Sequence, residues 1–334
     1  MSGIVTIKDV ALHAGVAVST VSRVINNMDR VSPDTREKVM MAVEELGYVR
    51  NNLAASIKTG STHFIVTIVP DIINEFYTAV IRGVEEVARA KGYYTLVYAA
   101  NEAKPARTNV FSEEFCYIVD GVIVVPSTVD ETIIRGLHKP MVTIDRELPG
   151  YDGCSVTVDN YKGACLLTQE LIDYGHRKIA FVTGNSKFNV TGDRMHGFLD
   201  TLLKNYIPVR EEYICLGDWY QEAGYAYAER LMRYDDPPTA IFAGNNQICI
   251  GCAKYLLSQG LEIGKDISLV EFDDSEVAQF LGAGITSLNR PTFEMGRIGA
   301  KMLFSMLEHG ESAVSKRKIQ LDVELIRRKS VSSI

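Results

Sequence analysis

TIKDVALHAGVAVSTVSRVIN, residues 6–26, reads as two short helices joined by a tight turn. Thr6 stands at a cap position, and Asp9 three residues on completes a capping-box pattern. Val10, Ala11 and Ala14 recur at three- and four-residue spacing and give the first helix one apolar face. Gly15 is the residue that tolerates the positive φ of a sharp turn. Val16, Val21 and Val24 continue at helical spacing and can close a small core against that face. Val18, Ser19, Thr20, Ser22, Arg23 and Asn26 are left on the outer face of the second helix. Short hydrogen-bonding groups, a methyl-bearing side chain and a guanidinium suit a helix that enters a DNA major groove and touches base edges. The plain alternative is a helical hairpin with a polar outer face.

Outward from this hairpin, residues 27–31 read as a loop, and Ser32-Pro33 marks a helix start with Ser at the cap and Pro at the first turn. Val39, Ala42, Val43 and Leu46 form one face, and Gly47 stops the helix. The following segment NNLAASIKTG (51–60) is too short to hold a helix in isolation, because nucleation costs more than one or two turns return.

The 334-residue length predicts two or three domains, and 46% hydrophobic with 23% charged residues is ordinary globular composition. No apolar run reaches the ~20 residues of a membrane span, and no signal-peptide pattern opens the chain, so a cytoplasmic protein is expected. The net charge of −7 is unevenly spread: residues 1–60 carry seven Lys and Arg against six Asp and Glu, the remainder 28 against 36. The sign suits a nucleic-acid module on an acidic body, but charge alone is too weak to identify one. The six cysteines are scattered among apolar neighbours and read as buried thiols. Cys249 and Cys252 form a CxxC inside a helical pattern with no second pair, so packing is favoured over zinc, and no metal or cofactor is expected.

From Phe64 the texture changes to short apolar runs alternating with helical stretches. FIVTIVPD (64–71), YYTLVYAAN (93–101), GVIVVPS (121–127) and PMVTIDR (140–146) are followed by CSVTVD (154–159), KIAFVTGN (178–185), YICLGD (213–218), TAIFAGN (239–245) and SLVEFDD (268–274). Such alternation predicts parallel sheets flanked by helices, and there are enough strands for two α/β lobes. A last helix over Thr292 to His309 and one last strand near Lys318 to Ile326 complete the pattern. Open parallel sheets bind ligands beyond the carboxyl ends of their strands. Those ends hold Asp71, Ser127, Asp145-Arg146, Asn185, Asp218-Trp219, Asn245-Asn246 and Asp273-Asp274. Carboxylates and amides suit vicinal hydroxyls, and Trp219, Phe76 and Tyr77 offer faces for the C–H side of a sugar ring.

DVALHAGVAVSTVSRVIN (9–26) closely resembles the headpiece of the LacI/GalR family of bacterial transcription regulators. The resemblance extends over the body, implying an all-α helix-turn-helix headpiece (1–50), a hinge helix and linker (51–61) and a two-lobed, periplasmic-binding-protein-like α/β core (62–334). Lobe one would comprise about 62–159 and 291–321, lobe two about 160–290 and 322–334, with crossings near Asp159, Arg290 and residue 322. The implied DNA contacts are Thr6, Val18, Ser19, Thr20, Ser22, Arg23, Asn26, Asn52 and Ile57, with Ile57 as the apolar wedge in the minor groove. Arg50 replaces a usual Pro, Ala55 a frequent Arg, and Ala17 a frequent Ser cap. The implied effector contacts are Phe76 and Tyr77 of NEFY (74–77), Asp145, Arg194, Trp219, Asn245, Asp273 and Arg290. Asn246 stands where Asp is usual, Arg290 where Gln is usual and Glu75 where Pro is usual.

The function these features imply is a repressor whose affinity for a palindromic operator is set by a small sugar-like effector. A neutral sugar or nucleoside-like ligand, a sugar acid and a sugar phosphate all remain open; Arg290 beside Arg194 raises the anionic options. The chain ends without the leucine-heptad tail that makes tetramers in this family, which implies a homodimer. Family membership alone admits a phosphorylated carrier protein docking around Arg297 and Lys301. Two other classes compete. A solute-binding protein would share the core but not the headpiece. An enzyme would need a fingerprint that is missing: Gly282 and Gly284 lack a third glycine, and no GxSxG, Walker A or HExxH occurs.

Overall fold

The computed structural model describes residues 5–25, 31–48, 61–100, 118–127, 139–184, 189–282, 284–310 and 317–334. Asn26, Asn52 and Ile57 of the expected DNA contacts, and Asn185 of the strand ends, lie outside the described residues, as do Arg50 and Ala55. The chain separates into two compact units, Met1–Thr62 and His63–Ile334.

In the first unit, α1 (Ile7–Ala14), α2 (Val18–Ile25) and α3 (Pro33–Leu46) enclose Val10, Ala11, Val21, Val24, Val39 and Ala42. Each helix starts and stops for a local reason. The Asp9 carboxylate accepts from the Thr6 N–H at 2.8 Å and the Thr6 hydroxyl at 2.7 Å, which holds it below the usual carboxylate range. Gly15 ends α1 at φ 66°, and the Val16 N–H returns to the Ala11 carbonyl at 3.0 Å. The Ala17 carbonyl accepts from Thr20 and Val21, but Ala17 has no side chain with which to cap α2, a deficit of about 1 kcal/mol against Ser. Ser32 caps α3 through Thr35, and Gly47 closes it at φ 61°.

The second unit is built on two six-stranded sheets. Its strands are β1 (Phe64–Val69), β2 (Tyr94–Ala99), β3 (Gly121–Val124), β4 (Met141–Ile144), β5 (Cys154–Val158), β6 (Ile179–Gly184), β7 (Ile214–Gly217), β8 (Ala240–Ala243), β9 (Ser268–Glu271), β10 (Thr286–Asn289), β11 (Lys318–Leu321) and β12 (Glu324–Ile326). The first sheet has the order β11-β5-β4-β3-β1-β2 and is parallel throughout. The second has the order β12-β10-β9-β8-β6-β7, parallel except for β12 against β10. The covering helices are α4 (Glu75–Ala90), α5 (Asn160–Asp173), α6 (Asn189–Lys204), α7 (Gln221–Met232), α8 (Asn246–Ser258), the short α9 (Glu276–Phe280) and α10 (Thr292–His309).

α4 and α10 pack together over the first sheet, α5 beside α6 and α7 beside α8 over the second. Strands covered on both faces favour apolar side chains at nearly every position, hence the fully buried runs of β3, β4 and β6, in which Thr143 and Thr183 are the polar exceptions. The chain passes between sheets after Val158, after Asn289 and between Leu321 and Glu324.

β10 and the short α9 were not anticipated by the sequence reading, and one element differs from it. The single last strand is two strands in different sheets, broken at Asp322, whose carboxylate accepts from the Val323 N–H at 2.9 Å and pairs with Lys162 at 2.6 Å. Cys249 and Cys252 lie buried on α8, and burial pushes both thiols up. Among the described residues no helix is long and apolar enough to cross a membrane.

Candidate DNA-binding face and effector cleft

In the first unit, burial of Val21 and Val24 orients α2 so that Val18, Ser19 and Arg23 are exposed and Thr20 and Ser22 half-buried; Thr6 is exposed at the start of α1. The α2 face carries a methyl-bearing side chain, three hydroxyls and a guanidinium, with no carboxylate among its described residues, whereas the Thr6 hydroxyl is held by Asp9.

In the second unit, the strand ends of both sheets converge. Phe76, Tyr77, Asp145, Arg194, Trp219, Asn245, Asp273 and Arg290, the expected effector set, all line one cavity, together with Asn74, Arg146 and Val190. Asn74 caps α4, and Phe76 and Tyr77 follow in its first turn. Asp145 and Arg146 end β4, and Asp145 sits at φ 71°, a conformation that costs a non-glycine residue about 1–3 kcal/mol and clusters at functional sites. Trp219 follows β7 with its ring laid flat on Gly184, where a Cβ would meet it at 2.2 Å. Asn245 caps α8 through the Ile248 N–H at 2.8 Å and donates to the Trp219 carbonyl at 3.1 Å.

Arg290 occupies the centre. One of its terminal nitrogens donates to Asp273 at 2.5 Å and the other to Asp145, so a single guanidinium on the crossover bridges a carboxylate from each sheet. Burial opposes its charge, but Asp145 and Asp273 outweigh that and hold it above its ordinary value. Its plane lies over Phe76, 4.3 Å from the ring centroid, so the face that sequence offered to a sugar is covered by Arg290. Arg194 donates to Asn160 at 2.9 Å and to the Gly244 carbonyl at 2.5 Å, and stacks on Phe272 at 3.6 Å. Burial, and then repulsion from Arg290, pushes Arg194 down to about 9. Arg146 donates to the Pro126 carbonyl at 3.0 Å and to the Tyr77 hydroxyl at 3.2 Å.

The two lobes are latched shut around this charge cluster. The side-chain amides of Asn74 and Asn246 exchange hydrogen bonds at 3.1 and 2.9 Å. The Glu276 N–H donates to Glu75 at 2.7 Å, and the Glu147 N–H to Asn189 at 3.0 Å. The cavity left inside is about 20 Å³, room for one water. An open depression of about 420 Å³, lined by Glu75, Thr78, Arg82, Glu276 and Thr292, shares Phe76, Asp273 and Arg290 with it as a common wall.

Two other strand-end residues make bonds that serve the fold. Asp71 accepts from the Ile73 and Asn74 N–H groups, and Asp274 pairs with Arg328 and Ser287. Of the lining residues outside the expected set, Asn74 and Arg146 adjoin residues that sequence singled out, whereas Val190 carries no signal of its own. Among the described residues no group of three or more His, Cys, Asp or Glu is arranged to hold a metal.

A helix-turn-helix unit joined to a two-lobed α/β core with a polar inter-lobe cavity defines a DNA-binding regulator with a ligand-binding-type body. Residues 6–51 match the bacterial regulatory proteins of the lacI family, and residues 168–331 match a periplasmic binding protein-like domain. The HTH-type transcriptional regulator RegA of Clostridium saccharobutylicum is 33% identical over 97% of this chain and 98% of that protein. A structure of the transcriptional regulator CelR in complex with cellobiose, 28% identical, covers 98% of this chain and 99% of its own, with TM-score 0.71. The lac repressor dimer bound to operator and the anti-inducer ONPF shares the fold at TM-score 0.82 and 24% identity, over 99% of this chain and 100% of that one. The chain belongs to the LacI family of bacterial transcriptional regulators, which are DNA-binding proteins and not enzymes.

Proposed function

We propose that this regulator is a cytoplasmic repressor that binds a palindromic operator as a homodimer and is controlled by a small polyhydroxylated effector in the inter-lobe cleft. The observation that carries this is the convergence of eight polar, charged and aromatic side chains from both lobes on one cavity, in a chain whose headpiece presents the α2 face. Two headpieces per dimer meet two half-sites about one helical turn apart. The cellobiose complex of CelR supports a sugar-like ligand, and the lac repressor dimer supports the homodimer and the operator.

The candidate contacts are those read from sequence: the α2 face with Thr6 in the headpiece, Asn52 and Ile57 in the hinge, and the eight cleft residues in the core. Effector binding changes the lobe angle, which governs whether the hinge segment orders on DNA. Such coupling is reciprocal, so operator must shift effector affinity by the factor by which effector shifts operator affinity.

The test is selection of random duplexes by the purified protein, with and without a panel of sugars and sugar acids. A palindrome whose enrichment one compound alters supports the reading. Tight sugar binding with no duplex enriched under any condition favours a solute-binding protein instead.

A further inference from the structure

The cavity is lined by three guanidiniums, Arg146, Arg194 and Arg290, against two carboxylates, Asp145 and Asp273. Among the described residues no other formal charge lines it, so on that count it holds one uncompensated positive charge in a space with room for one water. The three cations share an aromatic cage. Arg194 and Arg290 lie over the Phe272 ring at 3.6 and 5.7 Å, and Arg146 and Arg194 over Trp219 at 6.0 and 5.9 Å. The Nε of Arg290 is buried and has no hydrogen-bond partner among the described residues. A buried donor left unmade is expensive, and a buried charge left unmatched more so.

A ligand of sugar size cannot enter about 20 Å³ without prising Arg290 from at least one of its carboxylates. A neutral sugar would claim the same carboxylate oxygens with its hydroxyls and leave the guanidinium without a partner, with the three-to-two count unchanged. A ligand carrying one negative charge does the reverse. Its carboxylate takes the guanidinium fork, freed oxygens of Asp145 and Asp273 accept from its hydroxyls, and the three-to-two count becomes three-to-three. A phosphate dianion would overshoot the balance.

Building on the proposal that this cleft is the effector site, we infer that its effector is a polyhydroxylated monocarboxylate of the sugar-acid class and that Arg290 is the residue that specifies it. Asp145 and Asp273 are then hydroxyl acceptors that Arg290 holds in place, as an internal stand-in for the ligand, until the acid arrives.

The experiment is calorimetric titration of the full-length protein with matched pairs, glucose and glucuronate, galactose and galacturonate, glucitol and gluconate, plus glucose 6-phosphate, with Trp219 emission reporting that binding is in the cleft. The expected result is one acid that binds about 100-fold tighter than its neutral partner and tighter than the phosphate. R290Q should cut that ratio at least about 30-fold, and R290K, which keeps the charge but loses the fork and the stacking on Phe76, should restore only part of it. Circular dichroism and operator binding establish that the variants are folded, and the wild-type ratios stand without them.

A neutral partner that binds wild type as tightly as its acid, a preferred phosphate, or an unchanged ratio in R290Q overturns the charge inference and leaves the cleft reading intact. No heat and no Trp219 response from any compound overturns the cleft reading itself.

Discussion

The charge count of the cavity depends on a residue just beneath it. Glu271 ends β9 two residues before Asp273 and is buried; among the described residues the Ser275 N–H at 3.5 Å and the Ser275 hydroxyl at 3.4 Å face its Oε1, with the Cys249 thiol beside it. Burial, with repulsion from Asp273 and Asp274, pushes its carboxyl up to about 8 from an ordinary 4.5. Between those values the folded chain holds a proton that the unfolded chain has released. Stability from this group is therefore full below about 4.5, declines as pH rises through the window, and reaches its floor above about 8. At about 1.4 kcal/mol per pH unit, the decline between pH 5 and pH 7.5 is roughly 3 kcal/mol.

Glu271→Gln keeps the shape and removes the titration. The variant should gain roughly 3 kcal/mol relative to wild type as pH rises from 5 to 7.5, measured by urea unfolding at matched pH values with Trp219 emission and circular dichroism as paired probes. His176, which burial holds below its ordinary value, works in the opposite direction as pH falls, but it is present in both proteins and cancels in the difference. Stability curves for the two proteins that run parallel across this range would refute the argument. A third carboxylate would then be charged beneath the cavity, and its net positive balance would disappear.

Asn246→Ala leaves the Asn74 amide buried without its partner and should cost about 1–3 kcal/mol while loosening the lobes; an unchanged radius of gyration in solution scattering would show that this pair is no latch. Gly251→Ala places a Cβ 2.0 Å from the Gln221 carbonyl where α7 and α8 touch, and backbone cannot step aside as a side chain would, so a loss of about 1–3 kcal/mol in urea unfolding is expected, with wild-type stability the contrary result. Asp273→Asn should abolish the effector response of operator binding while leaving operator affinity intact, and a retained response removes Asp273 from the site. Ile57→Ala, at the proposed minor-groove wedge, should weaken specific operator binding far more than non-specific binding; equal losses on both would end that proposal.

What could be read from sequence follows from which interactions are local. The headpiece was legible because its signals are neighbours: Asp9 with Thr6, Gly15 and Gly47 at helix ends, valines at helical spacing. Strands such as Phe64–Val69 and Gly121–Val124 were legible because cover on both faces demands mostly apolar, β-branched runs, in the first of which only Thr67 is polar. β10 was not, because Thr286 and Ser287 are buried yet polar, and what makes them acceptable there lies elsewhere in the chain: the Arg328 carbonyl and N–H for the Thr286 hydroxyl, Asp274 for Ser287. The break at Asp322 was missed for the same reason, since its partner is Lys162.

The cleft shows the limit most sharply. Recurrence of polar residues at strand ends pointed to a site, but Asp71 and Asp145 look alike in sequence, and only their partners separate a turn-former from a cavity wall. Two arginines near one cleft suggested an anion, yet an arginine already matched by carboxylates takes one only when the ligand displaces them. Arg290 is so matched, by residues 17 and 145 positions away, and that pairing leaves Arg194 as the cation in surplus. The preference for an anion therefore rests on the balance of the whole cluster, and Arg290 governs it by deciding which carboxylates a ligand can reach.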